Sequence, residues 1–231
     1  MIFHGARRQL SAIGCTVLAL ALAALIEARQ SAPKVYPLDS TTGLRMKDLS
    51  AQPETFQGKK CVRITSTGVE QVAVIEGQEF DNGVIEAEIA GAPGAGAGEG
   101  ARGFVGIAFR VSPDAQAFDA FYLRPTNGRA DDQERRNHAT QYISHPDWPW
   151  ARLRKETPSR YESYVDLMPD AWTKVKIDVQ GARARLYVHD QAQPALVVND
   201  VKTGAQGKGG VGLWVGAGTV AHFRDVKVQR R

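Results

Sequence analysis

Residues 174–188 constrain the fold more than any other stretch of the chain. From 174 to 179 polar and apolar residues alternate strictly, with Val175, Ile177 and Val179 on one side and Lys174, Lys176 and Asp178 on the other. A period of two belongs to a strand with one buried face. Gln180-Gly181 supplies a turn, and the alternation resumes with Ala184, Leu186 and Val188 on the apolar side. The two runs predict a β-hairpin. Shorter runs of the same kind at 62–65, 69–75, 83–90, 103–111, 118–124, 211–215 and 220–228 predict further strands. No run after residue 28 sustains a helical period. Many short strands joined by glycine-rich turns predict an all-β fold, a two-sheet antiparallel jelly-roll sandwich. Hydrophobic residues make up 43% of the 231, enough for one such core.

The N-terminus follows other rules. His4, Arg7 and Arg8 precede an almost wholly apolar run from 10 to 26, and Ala28 follows at a small-residue position. This is the layout of a secretory signal peptide over residues 1–28, a helix in its apolar part. Arg7-Arg8-Gln9-Leu10 loosely matches a twin-arginine signal. The apolar run is near the lower length of a membrane span, so an uncleaved anchor is the alternative, and the only membrane contact expected. The expected location is periplasmic or secreted. Cleavage would lower the formal charge from +4 to +3, too little to argue for nucleic acid. It would also remove Cys15 and leave Cys61 alone, so no internal disulfide is expected. Cys61 reads as a small buried strand residue. Residues 29–58, with Pro33, Pro37 and Pro53, read as an irregular N-terminal segment, and 59–231 as the jelly-roll domain.

Within that domain residues 121–164 stand apart as a long inserted loop, too long and too polar for an ordinary sandwich connection. Loops on rigid scaffolds concentrate binding groups. Eight residues here form the candidate ligand-binding set: Arg124, Asn127, Arg129, His138, Gln141, His145, Trp148 and Trp150. Indole faces can stack on the C–H face of a sugar ring, while Arg, Asn, Gln and His make the directional hydrogen bonds that hydroxyl-rich or carboxylate-bearing ligands require. The same residues can instead pair with local Asp and Glu and pin the loop to the sheet. The spacing of His138, His145 and Asp147 matches no established zinc pattern, so no metal is expected from them. Glu86 and Glu88 share one strand face, as a glycosidase pair would, but a solvated strand face gives the same pattern. There is no G-x-S-x-G elbow for a serine hydrolase. The glycine run 91–100 lacks the following helix a phosphate loop needs and reads as a flexible connection.

Several runs carry a family resemblance: residues 80–86 (FDNGVIE), 103–110 (GFVGIAFR), 171–177 (AWTKVKI), 209–214 (GGVGLW) and 223–226 (FRDV). Over roughly residues 40–229 the chain resembles the concanavalin A-like lectin/glucanase jelly rolls. More closely it resembles exported bacterial 3-keto-disaccharide hydrolase-type domains, near the family 16 glycoside hydrolases. Where family 16 glucanases carry an E-x-D-x-x-E strand, this chain reads Glu86-Ala87-Glu88-Ile89-Ala90-Gly91, with no third acid. The resemblance thus carries the scaffold rather than an activity. It implies a carbohydrate or glycan ligand. No cofactor is expected, and a structural calcium, as in some relatives of the fold, stays open. The expected function is an exported carbohydrate-binding protein using the 121–164 segment. A glycoside hydrolase-type enzyme on the same scaffold, or a structural or surface-interaction protein without a small ligand, are the alternatives.

Overall fold

The computed structural model describes residues 32–46, 49–66 and 68–231. The expected signal helix lies outside them. Among the described residues the strands run in chain order as β1 (Lys34–Tyr36), β2 (Leu44–Arg45), β3 (Ser50–Phe56), β4 (Lys59–Ser66), β5 (Gln71–Phe80), β6 (Gly83–Pro93), β7 (Val105–Val111) and β8 (Phe118–Leu123). They continue as β9 (Thr140–His145), β10 (Glu162–Ser163), β11 (Thr173–Gln180), β12 (Arg183–Val188), β13 (Leu196–Val198), β14 (Gly209–Val215) and β15 (Thr219–Arg230). Two short helices, α1 (Gln133–Asn137) and α2 (Trp150–Glu156), and a 3-10 turn (Pro125–Asn127) interrupt them.

The strands form two antiparallel sheets, a β-sandwich. One has the order β13-β12-β11-β6-β15-β4-β3, with β1 also paired to β15; the other has the order β10-β9-β8-β7-β14-β5-β2. The β11–β12 hairpin lies as its alternation dictates, with Val175 opposite Val188, Ile177 opposite Leu186 and Val179 opposite Ala184, all buried. Pairing with β6 sets Ile177 beside Ile85 and Val175 beside Ala87, so Glu86 and Glu88 fall on the outer face.

Strand β15 shows how one extra residue is absorbed. Ala221 and Phe223 are buried, and so are Val226 and Val228, which breaks a strict alternation. The register against β6 shifts between Arg224 and Lys227, and Asp225 sits at φ 51. A bulge there resets the phase so that both halves of the strand face the core. Beyond it β1 pairs with residues 226–228 of β15, while β4 pairs with residues 219–223.

In the second sheet both faces are covered, since β7 and β8 are buried along their full lengths. On the inner face Ile107, Phe109, Phe121, Tyr142, Val211 and Leu213 align across four strands. On the outer face Gly106 lies between Tyr122 and Trp214 in the register. A Cβ at Gly106 would stand 2.6 Å from the Tyr122 Cβ and 2.3 Å from the Phe121 carbonyl oxygen. The missing side chain lets the two rings stack at 4.4 Å. Gly106→Val forces them apart, and the expected loss in urea unfolding is about 1–3 kcal/mol, the usual cost of overpacking a close-packed site.

Two sequence expectations need correction. Of the expected irregular segment 29–58, the described residues contain β1, β2 and β3, and the compact body begins at Pro33. Their prolines hid this. Pro53 fits because β3 is an edge strand paired only with β4, where a missing N–H leaves no ladder bond broken. Nor are residues 121–164 a loop. They hold the end of β8, both helices, β9 and β10, and β9 pairs with β8 from Phe118–His145 to Leu123–Thr140.

Candidate functional site

Residues 124–139 form an excursion between β8 and β9, tied at its base. Arg124 directly follows β8 and donates through Nη1 to the His138 carbonyl at 2.9 Å, and Asn127 Nδ2 donates to the same oxygen at 3.2 Å. The Arg124 guanidinium is buried and also donates to Glu162 Oε1 (3.2 Å), the Tyr122 hydroxyl (2.8 Å) and Gln141 Oε1 (3.0 Å). Glu162 stands on β10 opposite Gln141. Glu162 also pairs with Arg154 of α2, which donates through Nε to Oε2 at 2.9 Å and through Nη2 to Oε1, and His138 Nε2 lies 3.5 Å from Oε2. One buried carboxylate therefore serves two guanidiniums. Burial pushes the Glu162 carboxyl up, but the Arg154 hydrogen bonds and the charges of Arg124, Arg154 and His138 outweigh it and hold it below the ordinary carboxylate value.

In front of this knot opens a cavity of about 320 Å3. Its polar lining is Arg102, Arg124, Asn127, Arg135, His138 and Arg154; Phe104 and Trp150 give aromatic walls. No carboxylate is among its lining residues. Phe104 meets Tyr122 edge-on at 6.0 Å. Trp150 is 46% exposed, with the Arg154 guanidinium 4.8 Å from its ring centre. The Arg102 guanidinium donates through Nη1 to the Glu99 and Ala101 carbonyls. Arg135 reaches Thr126 O at 3.4 Å and Asn127 Oδ1 at 3.5 Å, both long, and its buried Nε has no partner. Burial pushes the Arg102 guanidinium below its ordinary pKa, and the charges of Arg135 and Arg124 add to that. Burial also lowers the His138 imidazole, against the pull of Glu162.

The cavity unites Arg124, Asn127, His138 and Trp150 from the eight residues expected. The other four lie elsewhere. Gln141 is buried behind the cavity wall, with Nε2 donating to Tyr142 O (2.8 Å) and Tyr161 O (3.2 Å). Arg129 is exposed in a two-pronged pair with Asp166 at 2.7 and 2.9 Å. His145 stacks on Phe118 at 5.0 Å, with Nδ1 3.0 Å from Glu70 Oε1, in a separate hollow beside Val72 and Gln116. Trp148 has both the Arg152 guanidinium (3.8 Å) and the Lys202 ammonium (4.5 Å) over its ring. The two indoles of the Asp-Trp-Pro-Trp run do not share a site: Trp148 bridges back to Ser144, whereas Trp150 starts α2. Sequence reasoning left out Arg102, Phe104, Arg135 and Arg154. Arg102 and Phe104 directly follow the glycine run, and a basic and an aromatic residue flanking Gly103 (φ +71) were the available signal.

Two other polar features are accounted for within the fold. Glu86 and Glu88 line a hollow of about 360 Å3 on the other sheet. In the register Glu86 lies between Lys176 and Lys227, and Glu88 between Lys174 and Arg224. Glu88 also pairs with Lys59 at 2.9 Å. This is a cross-strand charge ladder on a solvated face. Arg110, 2% exposed, donates to the carbonyls of Asp81 (3.0 and 2.9 Å), Gly181 (2.8 Å) and Gly204 (2.8 Å) and to Thr203 Oγ1 (3.1 Å). Beside it, buried Asp119 accepts from the Tyr142 hydroxyl at 2.6 Å and from Thr203. Among the described residues no group of three or more His, Cys, Asp and Glu is placed to hold a metal ion.

No protein-family model matches the chain, and no curated protein matches its sequence. Its fold is similar to solved structures. One is the carbohydrate-binding module CBM66 from Bacillus subtilis, at TM-score 0.54 and 13% identity over 81% of this chain and 98% of that one. Another is a Bacillus subtilis protein of unknown function with a galectin-like fold, at TM-score 0.56 and 13% identity over 88% and 99%. The carbohydrate recognition domain of Emp47p matches at TM-score 0.50 and 11% identity over 87% and 96%. At these identities the likeness is one of fold: a concanavalin A-like jelly roll.

Proposed function

We propose that this protein binds a carbohydrate in the cavity between Arg102, Arg124, Asn127, Arg135 and Trp150, and that it does so outside the cytoplasm, with residues 1–28 as its export signal. One observation carries the reading: four guanidiniums and two aromatic walls surround a single open cavity. Small-ligand sites are concave, with apolar surface and a few directed polar groups. The exposed Trp150 face suits the C–H face of a pyranose, and the forked guanidiniums suit its ring substituents. The names of the carbohydrate-binding module and of the carbohydrate recognition domain among the similar folds support a sugar ligand.

A glycan array followed by titration calorimetry tests this with two indole variants. Trp150→Ala is expected to weaken binding of the best glycan about tenfold or more, the weight of one stacked aromatic hot spot. Trp148→Ala keeps the affinity, because Arg152 and Lys202 already cover that ring. No binding to any glycan, or equal binding by wild type and Trp150→Ala, would falsify the proposal.

A further inference from the structure

We infer that the ligand carries an anionic group, a carboxylate or a sulfate, and that this group docks between Arg102 and Arg135. The inference rests on the carbohydrate reading above and narrows it to acidic glycans.

Charge balance comes first. The lining brings together Arg102, Arg124, Arg135 and Arg154. Arg124 and Arg154 share the Glu162 carboxylate behind the wall. Arg102 and Arg135 have no carboxylate partner among the described residues; their bonds run to carbonyls and to an amide oxygen. Elsewhere in this segment Arg129 pairs with Asp166 and Arg152 with Glu156, Arg160 shares Asp200 with Lys202, and Arg136 donates to the Tyr164 hydroxyl. The cavity thus holds two guanidiniums side by side that no carboxylate among its lining residues offsets. The whole chain carries only +4, so a general basic surface does not account for it.

Unsatisfied hydrogen bonding comes second. The Arg135 Nε is buried without an acceptor, and the adjacent Thr126 hydroxyl oxygen is buried without a partner. A buried donor left unpaired destabilises the protein until something accepts from it. A planar carboxylate or a sulfate oxygen pair matches the Nε–Nη edge of a guanidinium, whereas a neutral hydroxyl offers one oxygen and no charge. The mutual crowding of Arg102, Arg124 and Arg135 also weakens once an anion lies among them. A sugar acid or sulfated sugar satisfies both requirements, with its ring against Trp150 and its anion toward Arg102 and Arg135.

The experiment is an array carrying neutral, uronate-bearing and sulfated glycans, read with the full chain and with Arg102→Gln and Arg135→Gln. Binding is expected to concentrate on acidic members, and the uronate and sulfate members show which anion is preferred. Each variant is expected to weaken acidic binding about 10- to 100-fold, the range of a charge-assisted hydrogen bond. Chemical reduction of the bound glycan's carboxylates, or its desulfation, is expected to remove the same affinity. Both arginines are only half-buried and lack ion pairs, so the variants should fold, as unchanged thermal melts would verify. Neutral glycans bound as tightly as acidic ones, with Trp150→Ala still weakening them, would overturn the anionic inference and leave the carbohydrate reading intact. Acidic binding that survives both arginine variants would also overturn it. Absence of binding to every glycan would overturn both.

Discussion

Replacing Arg110 by Met will destabilise the domain by about 3 kcal/mol or more, because it strips several buried acceptors of their donor at once. The Arg110 side chain binds three loops together: the β5–β6 turn at Asp81, the β11–β12 turn at Gly181 and the approach to β14 at Thr203 and Gly204. Met fills similar volume, so packing loss stays small and the effect reports the hydrogen bonds. The substitution also removes the positive charge beside Asp119, a carboxyl already pushed up by burial against its bonds to Thr203, Tyr142 and Ser144. Equilibrium unfolding in urea measures it. A loss below 1 kcal/mol would mean that water replaces the guanidinium at those carbonyls.

The second large effect is expected at Glu162. Glu162→Gln keeps the shape but leaves the buried Arg124 guanidinium without a counter-charge and takes the acceptor pair from Arg154. Breaking a buried ion pair from one side costs about 3–5 kcal/mol. The pH dependence follows from the direction of the shift. Glu162 titrates below its ordinary 4.5 in the folded protein, so its contribution is complete above 4.5 and disappears as pH falls through the depressed folded value. Wild type should therefore exceed Glu162→Gln in stability at pH 7 and converge toward it in strong acid. Asp119 has the opposite sign: its raised value opposes folding at neutral pH, and that burden lifts below about 3.8. The wild-type minus variant difference isolates Glu162 from it.

What the sequence revealed depended on how many faces of an element are wet. The β11–β12 hairpin was legible because its outer face is solvated, so Lys174, Lys176 and Asp178 mark every second position. Strand β9 was not. Both its faces are covered, and its polar residues are satisfied internally, Thr140 by the Ser163 carbonyl and Gln141 by Tyr142 and Tyr161. Read one residue at a time, it looks like loop. The five-residue α1 and seven-residue α2 are too short to show a helical period, although Asp132 caps α1 by accepting from the Arg135 N–H at 2.8 Å.

The cavity was half legible for a related reason. Arg124, Asn127, His138 and Trp150 come from the odd segment itself, so unusual composition pointed to them. Arg102 and Phe104 come from the approach to β7, and only the β7–β8 pairing brings them against Arg124. Trp148 and His145 looked equivalent to Trp150 and His138 in the sequence. Their environments separate them: two cations over one indole, and Phe118 with Glu70 around the imidazole.

The most direct test of the carbohydrate site is NMR mapping of the Trp indole and Arg Nε–H resonances during titration with the strongest glycan from the array. Saturable shifts confined to Trp150, Arg102, Arg124, Arg135 and Arg154, with Trp148 unmoved, are the expected result. Shifts at Trp148 and at residues beside Glu86 and Glu88, with Trp150 and the four arginines unchanged, would contradict it.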